Sequence, residues 1–124
     1  MNKGERRTPE DLKTRTKRFA LEIIRLYSVL PKSTEAQVIG RQMLRSGTSV
    51  GAHYRESIRS RSDAEVVSKI EVALQELEET RYWLELLAES GTFKPERLDA
   101  MMCEVDELVA ILVTCVKKVK ARSR

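Results

Sequence analysis

The sequence predicts an all-α fold, an antiparallel up-down-up-down four-helix bundle forming one domain over residues 1–124. Three observations carry that expectation. Apolar residues recur at three- and four-residue spacing in four long stretches, and no stretch alternates as a strand would. The connections between them are only a few residues long, so sequence neighbours must run in opposite directions. With 124 residues, 41% apolar and 34% charged, the chain suits one soluble domain that buries about two thirds of its unfolded surface.

Thr8-Pro9-Glu10-Asp11 sets a cap residue before a proline at the first helical position and two acids in the first turn. Leu12, Thr16, Phe19, Ala20, Ile23, Tyr27 and Leu30 then hold the helical period until Pro31 forces its predecessor out of the α region, so helix one spans about 9–29. Thr34-Glu35-Ala36-Gln37 has capping-box spacing and opens helix two, about 34–59. At 100° per residue, Ala36, Ile39, Met43, Leu44, Gly47, Val50, Gly51, Tyr54 and Ile58 of this helix fall within a sector of about 140°. Gly47 and Gly51 each cost a helix interior about 1 kcal/mol relative to alanine, which close approach of another helix would offset. Arg41, Arg45, Arg55 and Arg59 form a basic ridge on the flank of that stripe.

Ser60-Arg61 is read as a turn, and Ser62-Asp63-Ala64-Glu65 as a second capping box that starts helix three, about 63–89. Val66, Ile70, Ala73, Leu74, Leu77, Leu84 and Ala88 mark its core face, and Ser90-Gly91 its end. Phe93 and Leu98 bracket Lys94-Pro95 like a hydrophobic staple. Leu98, Met101, Met102, Val105, Leu108, Leu112, Cys115, Val116 and Val119 carry helix four, about 95–121. Residues 1–7 and 122–124 are read as flexible basic ends.

Several function classes fall away. No run of 18 apolar residues and no apolar segment behind the charged N-terminus is present, so a cytoplasmic protein with no membrane partner is expected. Cys103 and Cys115 lie about 18 Å apart along one helix, too far to bridge each other, and are expected as reduced thiols. Gly47-Thr48-Ser49-Val50-Gly51 matches a nucleophile-elbow string but sits inside a helical period, and the lone histidine, His53, follows it at once instead of coming last after an acid. One histidine cannot supply the two Glu-x-x-His pairs of a di-iron bundle. No catalytic residue, metal or cofactor is expected. His53 is placed on the helix surface near Glu56, and Arg81, inside the apolar stripe, is expected to snorkel or to pair with an acid across a helix boundary.

The charge is segregated. The net charge is +4, yet residues 1–18, 55–63 and 117–124, which an up-down-up-down bundle gathers at one end, hold 15 Lys or Arg against 5 Asp or Glu, a net +10. Residues 63–89 hold eight acids against Lys69 and Arg81. Such a dipole suits a polyanion, and Arg15, Lys17, Arg18, Arg55, Arg59, Arg61, Lys117, Lys118 and Lys120 are the candidate phosphate contacts. The alternative is that the lysines of helix four complement its C-terminus and that the basic ends are solvated. Val72, Trp83 and Leu86 sit on the side of helix three away from its core stripe, a candidate interface for self-association. Cover by loops or by the N-terminal tail is the alternative there.

Arg18-Phe19-Ala20, Leu30-Pro31, the run from Gln42 to Glu56 and Tyr82-Trp83-Leu84-Glu85-Leu86-Leu87 resemble the bacterial four-helix-bundle proteins named after 23S rRNA intervening sequences. The likeness covers roughly residues 12–118, with His53 standing where the central motif usually has asparagine. Relatives in that family include the accessory variability determinant of diversity-generating retroelements, a basic bundle that works with a reverse transcriptase and RNA. The resemblance implies a ring-like homo-oligomer, typically a pentamer, with no known catalytic residues. As nucleic-acid partner, RNA is expected in preference to DNA. A protein-interaction scaffold with no nucleic-acid contact is the other function it admits.

Overall fold

Short caps and a proline set the helix boundaries in the computed structural model, which describes residues 9–123. The helices are α1 Pro9–Ser28, α2 Thr34–Ile58, α3 Asp63–Glu89 and α4 Pro95–Arg122, with no strand among the described residues. Each expected boundary is matched within one residue, while the expected Thr8 cap and the basic end 1–7 lie outside the described residues. The cap of α2 differs from the expected capping box. Ser33, not Thr34, holds the extended cap conformation, and its Oγ accepts from Ala36 N at 3.3 Å. Ser62 caps α3 by accepting from Glu65 N at 3.1 Å, and the Glu65 carboxylate reaches back to accept from Arg61 N at 2.9 Å. Gly91 ends that helix at φ 82°, a left-handed conformation that glycine adopts without the Cβ penalty. Pro95 occupies the first turn of α4, where its missing N–H removes no helical bond.

All four helices contribute to one core. Its fully buried members include Leu12, Phe19 and Ile23 of α1, Met43 and Val50 of α2, Leu77 and Leu84 of α3, and Val105, Leu108 and Leu112 of α4. The expected stripes need three corrections. Ile58 is 45% exposed, because it lies in the last turn of α2, where the helix is ending. Leu26, Leu87 and Ile111, left out of the stripes, are buried. So are the polar Ser46, Ser57 and Thr80, which is possible because their hydroxyls find partners inside: Ser46 and Thr80 bond each other at 2.7 Å across α2 and α3, and Ser57 donates to Tyr54 O at 2.6 Å.

Gly51, Gly47 and Gly40, descending α2, lie against Thr16, Ile23 and Leu30, ascending α1. A Cβ on Gly47 would sit 2.8 Å from Ile23 Cγ1, and one on Gly51 3.1 Å from Thr16 Oγ1, so at the glycines side chains of α1 pack directly against the α2 backbone. Glu56 pairs with Lys69 at 3.1 Å and Arg45 with Glu76 at 3.3 Å, while Asp63 pairs with Arg122 at 2.9 Å and Arg81 with Asp106. Close backbone contact links the three sequence-adjacent helix pairs, whereas α1 and α4 share the apolar core and are bridged by Arg15 and two glutamates. No described helix is long and apolar enough to cross a membrane.

Candidate nucleic-acid interface

The order of the helices brings the end of α2, the start of α3 and the end of α4 to one end of the molecule. Three polar links fasten it. Arg122 Nη2 donates to Asp63 Oδ1 at 2.9 Å, Ser123 Oγ donates to Asp63 Oδ2 at 2.6 Å, and Lys69 Nζ lies 3.1 Å from Glu56 Oε1. The Arg122 bond first, and the Ser123 bond after it, hold the Asp63 carboxyl below the usual carboxylate range. The bond from Lys69 does the same for Glu56.

Nine cations were expected to contact phosphate, and the structure divides them. Arg15 is a correction. Its side chain is only 14% exposed and donates to Glu104 Oε2 at 2.7 Å and Oε1 at 2.9 Å, and it also bonds Glu107. The hydrogen bonds to Glu104 raise its pKa further, so it is a fixed cation tying α1 to α4. Lys120 stands 3.8 Å from Glu71, both side chains well exposed, a contact that water screens heavily. Lys17, Arg18, Arg55, Arg59, Arg61, Lys117 and Lys118 have no ion pair among the described residues, and all but the half-buried Arg55 are exposed. Arg18 is set back from the end, lining a gap between α1 and α4 with Phe19, Glu22 and Met101.

The structure also shows where the rest of the charge goes. The acids of α3 engage the cations that point at them: Arg45 bonds Glu79 at 2.5 Å, and Arg81 pairs with Glu85 at 3.4 Å as well as with Asp106 across to α4, as its place in the apolar stripe suggested. His53 Nδ1 lies 3.5 Å from Glu56 Oε1, the neighbour expected for it. Gly47-Thr48-Ser49-Val50-Gly51 is helical throughout, and Ser49 Oγ donates to Arg45 O at 2.7 Å. Cys103 is an exposed free thiol and Cys115 a partly buried one, its thiol pKa pushed up by burial.

Val72, Trp83 and Leu86 are half-buried, so they flank the core face of α3 and do not stand opposite it. Trp83 packs on the core cluster, and its indole Nε1 is buried with no acceptor among the described residues. Tyr82, 52% exposed, meets it edge-on with ring centroids 5.0 Å apart. Sequence reasoning missed the Asp63–Arg122–Ser123 clamp. Its signal was present: an acid in the first turn of α3 and a cation in the last turn of α4, at helix ends that the topology brings together.

Residues 11–114 match the family described as 23S rRNA-intervening sequence protein. The fold is similar to a crystal structure from Bacteroides thetaiotaomicron VPI-5482, of a protein with unknown function from the S23 ribosomal protein family. The TM-score is 0.82 at 34% identity, covering 88% of this chain and 97% of that one. No curated protein matches this chain.

Proposed function

Because the chain belongs to the family of 23S rRNA-intervening sequence proteins, we propose that it is a non-enzymatic, homo-oligomeric bundle that binds RNA or DNA through phosphate contacts at its basic end. One observation supports this most: seven of the nine candidate cations have no acidic partner among the described residues, while Arg45, which faces α3, is paired with Glu76 and Glu79. A cation already bonded to a carboxylate must lose that bond to hold a phosphate, whereas an unpaired one only exchanges water and counterions. Arg55, Arg59 and Arg61 at the end of α2 and Lys117 and Lys118 on α4 are the core of this surface. Contacts of this kind position a strand without reading its bases.

In the assembly we propose, the helices run antiparallel, up-down-up-down, and the chains form a ring-like homo-oligomer, a pentamer, that repeats the basic surface around its axis. RNA in the cytoplasm is the preferred ligand, and a reverse transcriptase of a diversity-generating retroelement is the protein partner that the family resemblance offers. A protein-interaction scaffold is the second reading, favoured by Tyr82 exposed beside the half-buried Trp83.

Anisotropy titrations of labelled RNA against salt separate the two. Binding through several phosphates makes log affinity fall linearly with log salt, by about 0.7 per contact for a single strand. Reversing Arg55, Arg59 and Arg61 to Glu should weaken binding and flatten the slope. Reversing Arg25, Lys32 and Lys94, toward the other end, should change far less. Equal losses from both sets would mean diffuse attraction, and no binding by the wild type at low salt would favour the scaffold.

A further inference from the structure

At the basic end, a cavity of about 610 Å³ opens between α2, α3 and α4, and among the described residues none from α1 lines it. The volume falls within the roughly 300–1,000 Å³ typical of small-molecule sites. Its floor is mostly apolar and closely packed, with Ile70 3%, Tyr54 4% and Val119 8% exposed and Cys115 partly buried beside them. Its rim carries three cations in two different states. Arg122 is held by Asp63, whereas Arg61 and Lys118 have no ion pair among the described residues. An apolar floor below two uncompensated cations selects a ligand with a compact, partly apolar body and a strongly anionic end. Arginine and lysine together suit a terminal phosphate, which offers more oxygen acceptors than a diester linkage does.

We propose that this cavity binds a 5′-nucleoside monophosphate, free or as the phosphorylated end of a strand, with the phosphate between Arg61 and Lys118 and the nucleoside on the Tyr54–Ile70–Val119 floor. The strand-end form rests on the nucleic-acid reading above, and the free-nucleotide form does not.

Cys115 reports occupancy from the floor, and Cys103, exposed elsewhere on α4, is an internal control. Alkylation of the full-length protein by iodoacetamide is followed at each cysteine by mass spectrometry, with AMP, adenosine or inorganic phosphate present. AMP at about ten times its dissociation constant should slow Cys115 about tenfold, because only the free fraction reacts, and should leave Cys103 unchanged. Adenosine and phosphate should protect far less at the same concentration. Arg61→Gln combined with Lys118→Gln should lose the AMP protection, each protein being compared with its own nucleotide-free rate.

Two further arms separate the sources. A short RNA with a 5′-phosphate that protects Cys115, where the 5′-hydroxyl version binds but does not protect, assigns the cavity to strand ends. AMP protection with neither RNA protecting assigns it to free nucleotide, and this outcome stands even if RNA does not bind at all and the phosphate-contact reading falls. Absence of protection by both AMP and the phosphorylated strand overturns the proposal, even where RNA binding itself persists.

Discussion

Replacing Gly47 with alanine puts a methyl group into the α1–α2 seam, where opposing effects can be weighed from the structure. The new Cβ would lie 2.8 Å from Ile23 Cγ1, 3.0 Å from Cγ2 and 3.2 Å from Cδ1. Ile23 is fully buried and β-branched, with one strongly preferred χ1 in a helix, so it cannot swing aside without straining its own packing. Overpacking of this kind costs about 1–3 kcal/mol, and alanine returns about 1 kcal/mol of helix propensity. The net expectation is a loss of up to about 2 kcal/mol, read as a lower midpoint in urea at fixed protein concentration. Ile23→Ala removes all three clashing atoms, so in that background Gly47→Ala should reverse sign and stabilise by up to about 1 kcal/mol. Gly47→Leu, which cannot fit even with small shifts, should be worse than alanine in the wild-type background. A stabilising Gly47→Ala in the wild type, unchanged by Ile23→Ala, would refute the close approach and the phase assigned to α2.

Arg15→Leu should destabilise by about 1–2 kcal/mol, between exposed and buried ion-pair values, and leave the salt slope of RNA binding unchanged; a flatter slope would return Arg15 to the phosphate surface. Burial first, then Cys115 and Asp11, raises the Tyr54 hydroxyl to about 12. Since the unfolded tyrosine ionises near 10, that contribution is present below about pH 10 and is lost as pH rises from there to 12. Urea melts should therefore fall more steeply over this range in the wild type than in Tyr54→Phe, and parallel curves would contradict the assignment. Trp83→Glu should shift the oligomer toward smaller species in light scattering if Trp83 lies at a subunit contact, and a wild type of 14.2 kDa at micromolar concentration would remove the ring from the proposal.

The helices were legible because their signals are local. Ser62, Gly91 and Pro95 act within a turn of their own positions, and the apolar period runs for many turns in each helix. What misled was chemistry that a hydrophobic stripe does not register. Ser46 and Ser57 occupy buried positions on α2 because each hydroxyl is bonded internally, one to Thr80 on another helix, while the more apolar Ile58 lies in the last turn of that helix and stays exposed. The cap at Ser33 was misplaced by one residue, because Ser33 and Thr34 are both good caps and only the backbone angles choose between them.

The candidate site failed in a different way, since every cation was visible but its partner was not. Glu104 is 89 residues from Arg15, and Asp63 is 59 from Arg122, so both pairings are settled by how the helices stack. Helix phase nevertheless carries part of the answer. Arg15 falls three residues after Leu12 and four before Phe19, which puts it beside the core stripe and aims it at a neighbouring helix. Lys17 falls five residues after Leu12 and two before Phe19, which turns it toward solvent, where it remains exposed and unpaired among the described residues. Charge summed over one end of a bundle therefore overstates what a polyanion can use. The usable part lies on outward-facing positions and around openings such as the cavity between α2, α3 and α4, where Arg61 and Lys118 border space that no described helix fills.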